Sequence, residues 1–279
     1  MRSRTLLLAL ALMGSSQLAL AAEKLLTVGG AVTEIVFALG KGDEVIANDI
    51  TSVYPEAAFK LPKVGYMRTL SAEGLVSTGA TLIVAEAGAG PRNVIEQVRN
   101  AGIKVLQLPE ASHTPQQVAA DIRTIGKQLN ATTTEQLAKQ FEQDWKEAAA
   151  KLDKLKGKPR VLFVMNNSGR GAQAAGDETA AAAVITLVHG ENVMAGLYKG
   201  YRPLTAEALV AAAPDVIITT REGLEASGGL QAFLKTPGLG MTPAGKQGRI
   251  VSMDTQYIIG FTPRLPGAML ELGQAIRKP

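Results

Sequence analysis

GYMRTLSAEGLV, residues 65–76, comes back as GYRPLTAEALV at 200–210. Neither copy carries a nucleophile–base set or a phosphate-binding turn. Each leads into the same kind of segment: TLIVA at 81–85 after the first copy, PDVIITT at 214–220 after the second. Short apolar runs rich in β-branched residues read as buried strands. A phrase that holds the same place before two such strands points to a duplicated α/β unit.

Around the first copy, LLTV (25–28), VIAN (45–48), TLIVA and KVLQL (104–108) predict strands. AVTEIVFALG (31–40), SAEGLVSTG (71–79) and PRNVIEQVRNAG (91–102) have helical spacing, the last two closing on glycines suited to a C-cap. Around the second copy, RVLFVM (160–165), PDVIITT and RIVSM (249–253) predict strands. GDETAAAAVITLVHG (176–190), TAEALVAAA (205–213), GLQAFLKT (229–236) and TPRLPGAMLELGQAI (262–276) predict helices. Strands alternating with helices imply mostly parallel sheets covered on both faces.

Between the two halves lies helical sequence alone. TPQQVAADIRTIGKQL (114–129) opens on a Thr cap with Pro in its first turn, and 132–155 carries Leu137, Phe141, Trp145, Ala148 and Leu152 at helical spacing. At 1.5 Å per residue this second stretch is about 35 Å long, the width of a domain. The expected fold is α/β: two Rossmann-like lobes with mostly parallel sheets, 23–130 and 158–279, joined by one long α-helix within 131–157. The carboxyl ends of the strands would then frame a ligand cleft between the lobes.

Residues 1–22 are expected to be a signal peptide. Arg2 and Arg4 precede the apolar run TLLLALALM, and Ala19-Leu20-Ala21 fits a cleavage site near Ala21 or Ala22. The 279-residue chain is 46% hydrophobic and 19% charged, enough for a packed core. It has no cysteine, which excludes disulfides, thiolate metal sites and a lipid tether on an N-terminal cysteine. A soluble, monomeric periplasmic protein is expected. Without Arg2 and Arg4, 27 basic residues face 25 acidic ones, so nucleic acid is not expected as a partner.

Two similar α/β lobes, a single helix between them and an export leader resemble the periplasmic substrate-binding proteins of ABC importers, in the class with one rigid interlobe helix. TVGGAVTEIVFALG, the S-A-E-x-L-V phrase before ATLIVAEAG, and PGAMLELGQAI carry the resemblance over nearly the whole mature chain. It implies a binding protein rather than an enzyme, with an inner-membrane permease dimer and its ATPase as partners. It also implies that one acid on each lobe docks on the permease; Glu73 and Glu207 hold matching places in the two phrases. An ordinary solvated acid in a first helical turn is the alternative at both.

Tyr66 and Arg68, two apart in KVGYMR, would share one face of an extended segment. A phenol has a pKa near 10, and an adjacent cation favours the phenolate, a hard anionic ligand for ferric iron. GYMRTLSAEG resembles the corresponding stretch of the periplasmic haem-binding proteins. That resemblance implies Tyr66 as the ligand of haem iron, Arg68 as support for its phenolate, and haem b as the transported ligand. Some members place a histidine in the second lobe where VLFVMNNSGR has Asn167, so the departure implies a single axial ligand.

Arg221, Met253 and Tyr257, at or just beyond strand ends, are further pocket candidates, with core packing the alternative for Met253. Tyr201 holds the place of Tyr66 in the second copy, although Pro203 alters its local path. His113, in a loop after a strand, and His189, at a helix end, are weaker candidates, and two separated histidines cannot form the cage a zinc importer needs. Cobalamin or a ferric siderophore stays open as cargo. An exported two-lobed enzyme is the rival of another class. No G-x-S-x-G, H-E-x-x-H or P-loop supports it, and GAGPRN at 88–93 is at most a weak anion-binding turn.

Overall fold

The computed structural model describes residues 23–110, 112–167, 171–203 and 205–278; the proposed signal peptide lies outside them. The first half contains β1 (Leu25–Val28), α1 (Gly30–Ala38), β2 (Val45–Asn48), α2 (Glu56–Phe59), α3 (Ala72–Val76), β3 (Leu82–Ala85), α4 (Arg92–Asn100) and β4 (Lys104–Gln107). α5 (Pro115–Gln128) and α6 (Thr134–Leu152) follow. The second half contains β5 (Arg160–Asn167), β6 (Gly171–Ala175), α7 (Ala180–Leu187), β7 (Glu191–Asn192), β8 (Tyr201–Pro203), α8 (Ala206–Ala212) and β9 (Val216–Thr220). It closes with α9 (Arg221–Ala226), α10 (Leu230–Leu234), α11 (Pro243–Lys246), β10 (Ile250–Met253), α12 (Thr255–Ile259) and α13 (Leu265–Ala275).

The first sheet is wholly parallel, in the order β2-β1-β3-β4. The second repeats that order as β7-β5-β9-β10, again parallel throughout. The duplicated phrase is therefore the visible trace of a duplicated sheet. In both copies its Ser or Thr caps the short helix that precedes the third strand: Ser71 Oγ accepts from Gly74 N at 3.0 Å, and Thr205 Oγ1 from Ala208 N at 3.3 Å. In both, the leucine of the phrase, Leu75 or Leu209, is fully buried at 0% exposure. The second sheet adds what the sequence pattern did not indicate, an antiparallel extension through β6 and β8. β8 includes Pro203, which a sheet tolerates at its edge because Pro has no N–H to donate.

Strand alternation divides the apolar side chains among three cores. Leu26, Val28 and Ile83 face an outer core with Leu75, Val94 and Val98. Leu162, Val164 and Ile217 face another with Leu209 and Phe233. The opposite faces, Leu25, Leu82 and Val84 on one sheet and Phe163, Val216 and Ile218 on the other, belong to a single central core. α6 threads that core, contributing Ala138, Phe141 and Leu152 while packing on α5 and α13.

Glu86, just beyond β3, ties the first sheet to α1: its carboxylate accepts from Ala31 N at 2.9 Å. Burial, with the negative charge of Asp49 close by, pushes its pKa up to about 7. A carboxyl raised in the folded state favours folding while protonated, and that contribution is lost as pH rises from its ordinary value, 4.5, through about 7. The expected outcome is that Glu86 contributes a fall in thermal stability between about pH 4.5 and pH 7 in the wild type and that Glu86→Gln removes this part of the slope. Melting curves across that range check it; parallel slopes for the two proteins would contradict the assignment.

Candidate functional site

A polar network beneath the carboxyl end of the first sheet fixes the loop after β2. Asp49, 0% exposed, accepts from Gly29 N (2.8 Å), Thr51 N (3.0 Å) and the Ser52 hydroxyl (2.9 Å). Ser52 shares a 2.7 Å hydrogen bond with Thr33 of α1, which also bonds Thr27 of β1. Lys63 braces the loop from the other side, donating to Asn48 Oδ1 (2.7 Å), Ser52 O (2.9 Å) and Ala58 O (3.1 Å). A buried network whose members are satisfied is rigid.

This rigid base presents apolar groups to solvent. Among the described residues ten large hydrophobic side chains are exposed, and five of them, Ile50, Val53, Tyr54, Phe59 and Tyr66, lie between residues 50 and 66. Exposed apolar groups scattered singly need no explanation, but a concentration in one stretch marks a binding surface.

Tyr66 opens a tight turn instead of an extended segment. Thr69 N donates to Tyr66 O at 2.9 Å, which sets aside the expectation that Tyr66 and Arg68 share a face by strand alternation. The turn is pinned on both flanks: Ile50 N donates to Gly65 O (2.9 Å), Gly90 N to Met67 O (2.8 Å) and Leu70 N to Gly90 O (3.0 Å). Met67 and Leu70 anchor it in the outer core at 7% and 5% exposure. Held this way, the turn leaves Tyr66 41% exposed. Arg68 is also exposed, and its guanidinium lies over Gly88, where a β-carbon would stand 3.7 Å from Cζ. No hydrogen bond joins Arg68 to Tyr66 among the described residues; its charge acts on Glu86, whose pKa it lowers against the larger effect of burial.

On the second lobe, Asn167 closes β5, its backbone paired antiparallel with Gly171 of β6; residues 168–170 lie outside the described residues. Arg221 is exposed in the first turn of α9, beyond the carboxyl end of β9. Of the two readings of Met253, the structure shows core packing. Met253 is 6% exposed and belongs to the central core, because alternation along β10 turns it inward with Val251. Tyr257 is placed differently from the expectation. It lines a groove between α6 and α13 with Asp144, Lys151 and Leu270, its ring 5.0 Å from the Arg264 guanidinium.

Tyr201 does not mirror Tyr66. It is paired with Ala175 at the start of β8, and burial pushes its pKa up to about 12. His113 meets the Phe261 ring in a tilted arrangement, centroids 5.3 Å apart, and burial lowers its pKa. His189 pairs with Asp153 at 3.0 Å. Among the described residues no three His, Cys, Asp or Glu side chains gather as a metal site.

Glu73 and Glu207 are both exposed at the second position of their capped helices, and each is followed one turn later by an exposed valine, Val76 (42%) or Val210 (44%).

Sequence reasoning missed two features of this region. One is the network of Asp49, Ser52 and Thr33. The other is an ion pair between the halves, in which Glu34 of α1, 4% exposed, accepts from Arg264 Nε at 2.8 Å and also from Nη2. The signal for both was a Thr-Glu pair inside an otherwise apolar helix, AVTEIVFALG.

Similar proteins fit this geometry. The structure superposes on the periplasmic heme-binding protein BhuT, described in complex with two hemes, with a TM-score of 0.84 and 42% identity, covering 90% of this chain and 97% of that one. For the periplasmic heme-binding protein RhuT from Roseiflexus sp. RS-1, in apo form, the TM-score is 0.88 at 35% identity, over 91% and 98% of the two chains. The vitamin B12-binding protein of Vibrio parahaemolyticus is 23% identical over 251 residues, 90% of this chain and 88% of its own. The periplasmic binding protein family matches residues 25–257, and the chain belongs to that family.

Proposed function

We propose that this protein binds ferric haem in the cleft between its lobes and delivers it to an inner-membrane ABC permease, and that Tyr66 is the iron ligand. The single observation that carries the reading is the placement of Tyr66. It is a phenol held out on a turn pinned at both flanks, in the stretch where exposed apolar side chains concentrate among the described residues. A porphyrin asks for that combination: one oxygen donor for ferric iron and apolar cover for the macrocycle. The similarity to BhuT at 42% identity, and to RhuT, supports the same cargo. The family consists of binding proteins, so no catalytic step is assigned.

The residues divide the work. Tyr66 supplies the oxygen, and Ile50, Val53 and Tyr54 offer apolar contact. Arg68 and Arg221 are the cations available to the propionates or to the phenolate, and Asn167 offers at most a hydrogen bond. The Tyr66 oxygen is the only axial ligand assigned. Glu73 and Glu207, one on each lobe, meet basic groups of a two-fold permease, where such pairs set register and association rate more than affinity. The cleaved protein acts in the periplasm as a monomer.

Tyr66→Phe is expected to keep the fold and lose roughly a hundredfold in hemin affinity, about 2.7 kcal/mol, together with the tyrosinate features of the absorption spectrum. Equal affinity in the two proteins would remove Tyr66 from the site. Cyanocobalamin, run in the same titration, tests the cargo suggested by the similarity to the Vibrio protein. Tight binding of it without a Soret change on adding hemin would replace haem by cobalamin.

The double variant Glu73→Ala/Glu207→Ala is expected to bind hemin as the wild type does and to impair growth on haem as the iron source by about tenfold or more in association rate with the permease. Undiminished growth would show that these acids are ordinary solvated residues.

A further inference from the structure

The two halves touch at a second place besides α6, and that place is built around one guanidinium. Arg264 lies at the start of α13, in the second half. It donates Nε at 2.8 Å, and Nη2 as well, to the carboxylate of Glu34 on α1, in the first half. This is the bidentate fork, the strongest and most directional pairing of the two groups. Glu34 is 4% exposed, and burial outweighs Arg264 to leave its pKa raised. Above the same guanidinium lies the ring of Tyr54, 3.8 Å from Cζ to centroid, a cation–π contact. Two more contacts close the joint: the His113 and Phe261 rings meet at a tilt with centroids 5.3 Å apart, and a β-carbon on Gly30 would stand 2.4 Å from Gln256.

Both partners of Arg264 hang from the same helix. Glu34 is part of α1. Tyr54 sits on the loop that α1 holds through its preceding residue, Thr33, by way of Ser52 and Asp49. Tyr54 is itself 46% exposed, within the same stretch, residues 50–66, that holds the other exposed apolar groups and Tyr66. A rotation of one lobe against the other cannot occur without sliding Arg264 out of its fork, off the Tyr54 ring, or both.

We infer that Glu34 and Arg264 form a latch between the lobes that fixes the cleft angle and positions Tyr54 on the cargo wall, so that opening the lobes and loosening the cargo are one event. The inference rests on the haem reading for its cargo half only. The permease, in this account, releases cargo by breaking a buried fork rather than by pulling on the iron ligand.

The test uses Glu34→Leu/Arg264→Met. Replacing a buried ion pair by apolar groups of similar size often preserves stability, whereas removing one partner strands a buried charge. The chain has no cysteine, so Gln97→Cys and Gln231→Cys, exposed and one on each lobe, place a single pair of spin labels. The expected result is a narrow interlobe distance in the wild type and a longer, broader distribution in the double variant, without cargo. Hemin transfer to apomyoglobin is expected to become about tenfold faster. Arg264→Lys keeps the charge but not the fork, and is expected to give an intermediate broadening if the double variant does not fold. An unchanged distance distribution in the folded variants overturns the latch. A broadened one with unchanged hemin transfer overturns the coupling to cargo. Because the distances are measured without hemin, a protein that binds no hemin at all fails the haem reading while still reporting on the latch.

Discussion

The central apolar core is the constraint on which the rest of this molecule depends. Each sheet turns one face outward to a core of its own and the other inward to a core held in common, with α6 running through it. Two lobes joined only by a polar linker would be free to swing. Here a large rotation would have to expose Phe141, Leu152, Phe163 and their neighbours, all of them buried, and each fully exposed large side chain costs about 1.5–3 kcal/mol. Small displacements that slide packed surfaces without opening them remain accessible. The cleft is therefore close to its working shape before cargo arrives, and little ordering entropy is left for binding to offset.

Duplication explains the repeated phrase, and it also shows what duplication did not keep. The cap, the buried leucine, the exposed acid and the exposed valine recur in α3 and α8. The residues just before them do not behave alike. GYMR folds into a turn because Gly90 is there to receive it on one side and Ile50 on the other. GYRP becomes an edge strand because β6 lies beside it. One tyrosine is left exposed and the other packs against the central core. The surface that would meet a two-fold partner stayed two-fold, while the surface that would meet an asymmetric ligand became asymmetric.

The parts of the fold legible in the sequence were those fixed by local pattern. LLTV and VIAN are strands over the residues expected, since continuous apolar runs flanked by helical spacing leave little choice. The β6–β8 extension was illegible because GAQAA has neither branched residues nor alternation, and YRP contains a proline; only the neighbouring strand makes them strands. The same limit applies at the site. Tyr66 could be singled out as a candidate from its phrase. That it sits on a turn could not, because the hydrogen bonds that pin the turn on both flanks involve residues 50 and 90. Met253 shows the converse: its position at a strand end left both the cleft and the core open, and alternation along β10 sends it inward.

Glu34 and Arg264 were beyond reach altogether, being 230 positions apart. Yet the pair has a physical logic that α1 announces. A glutamate among Val32, Ile35 and Val36 must lose its hydration on folding, and a carboxylate buried alone would cost more than a small domain can spare. Some cation has to meet it. A lysine would meet it as a point charge and tolerate rotation; an arginine meets it as a planar fork, and tolerates very little. The choice of arginine makes the contact directional, and its cation–π contact with Tyr54 links it to the loop that carries the exposed apolar groups. A shared core sets how far the lobes can move. A planar pair at its edge sets where they come to rest, and gives the resting position a residue on the cleft wall to act through.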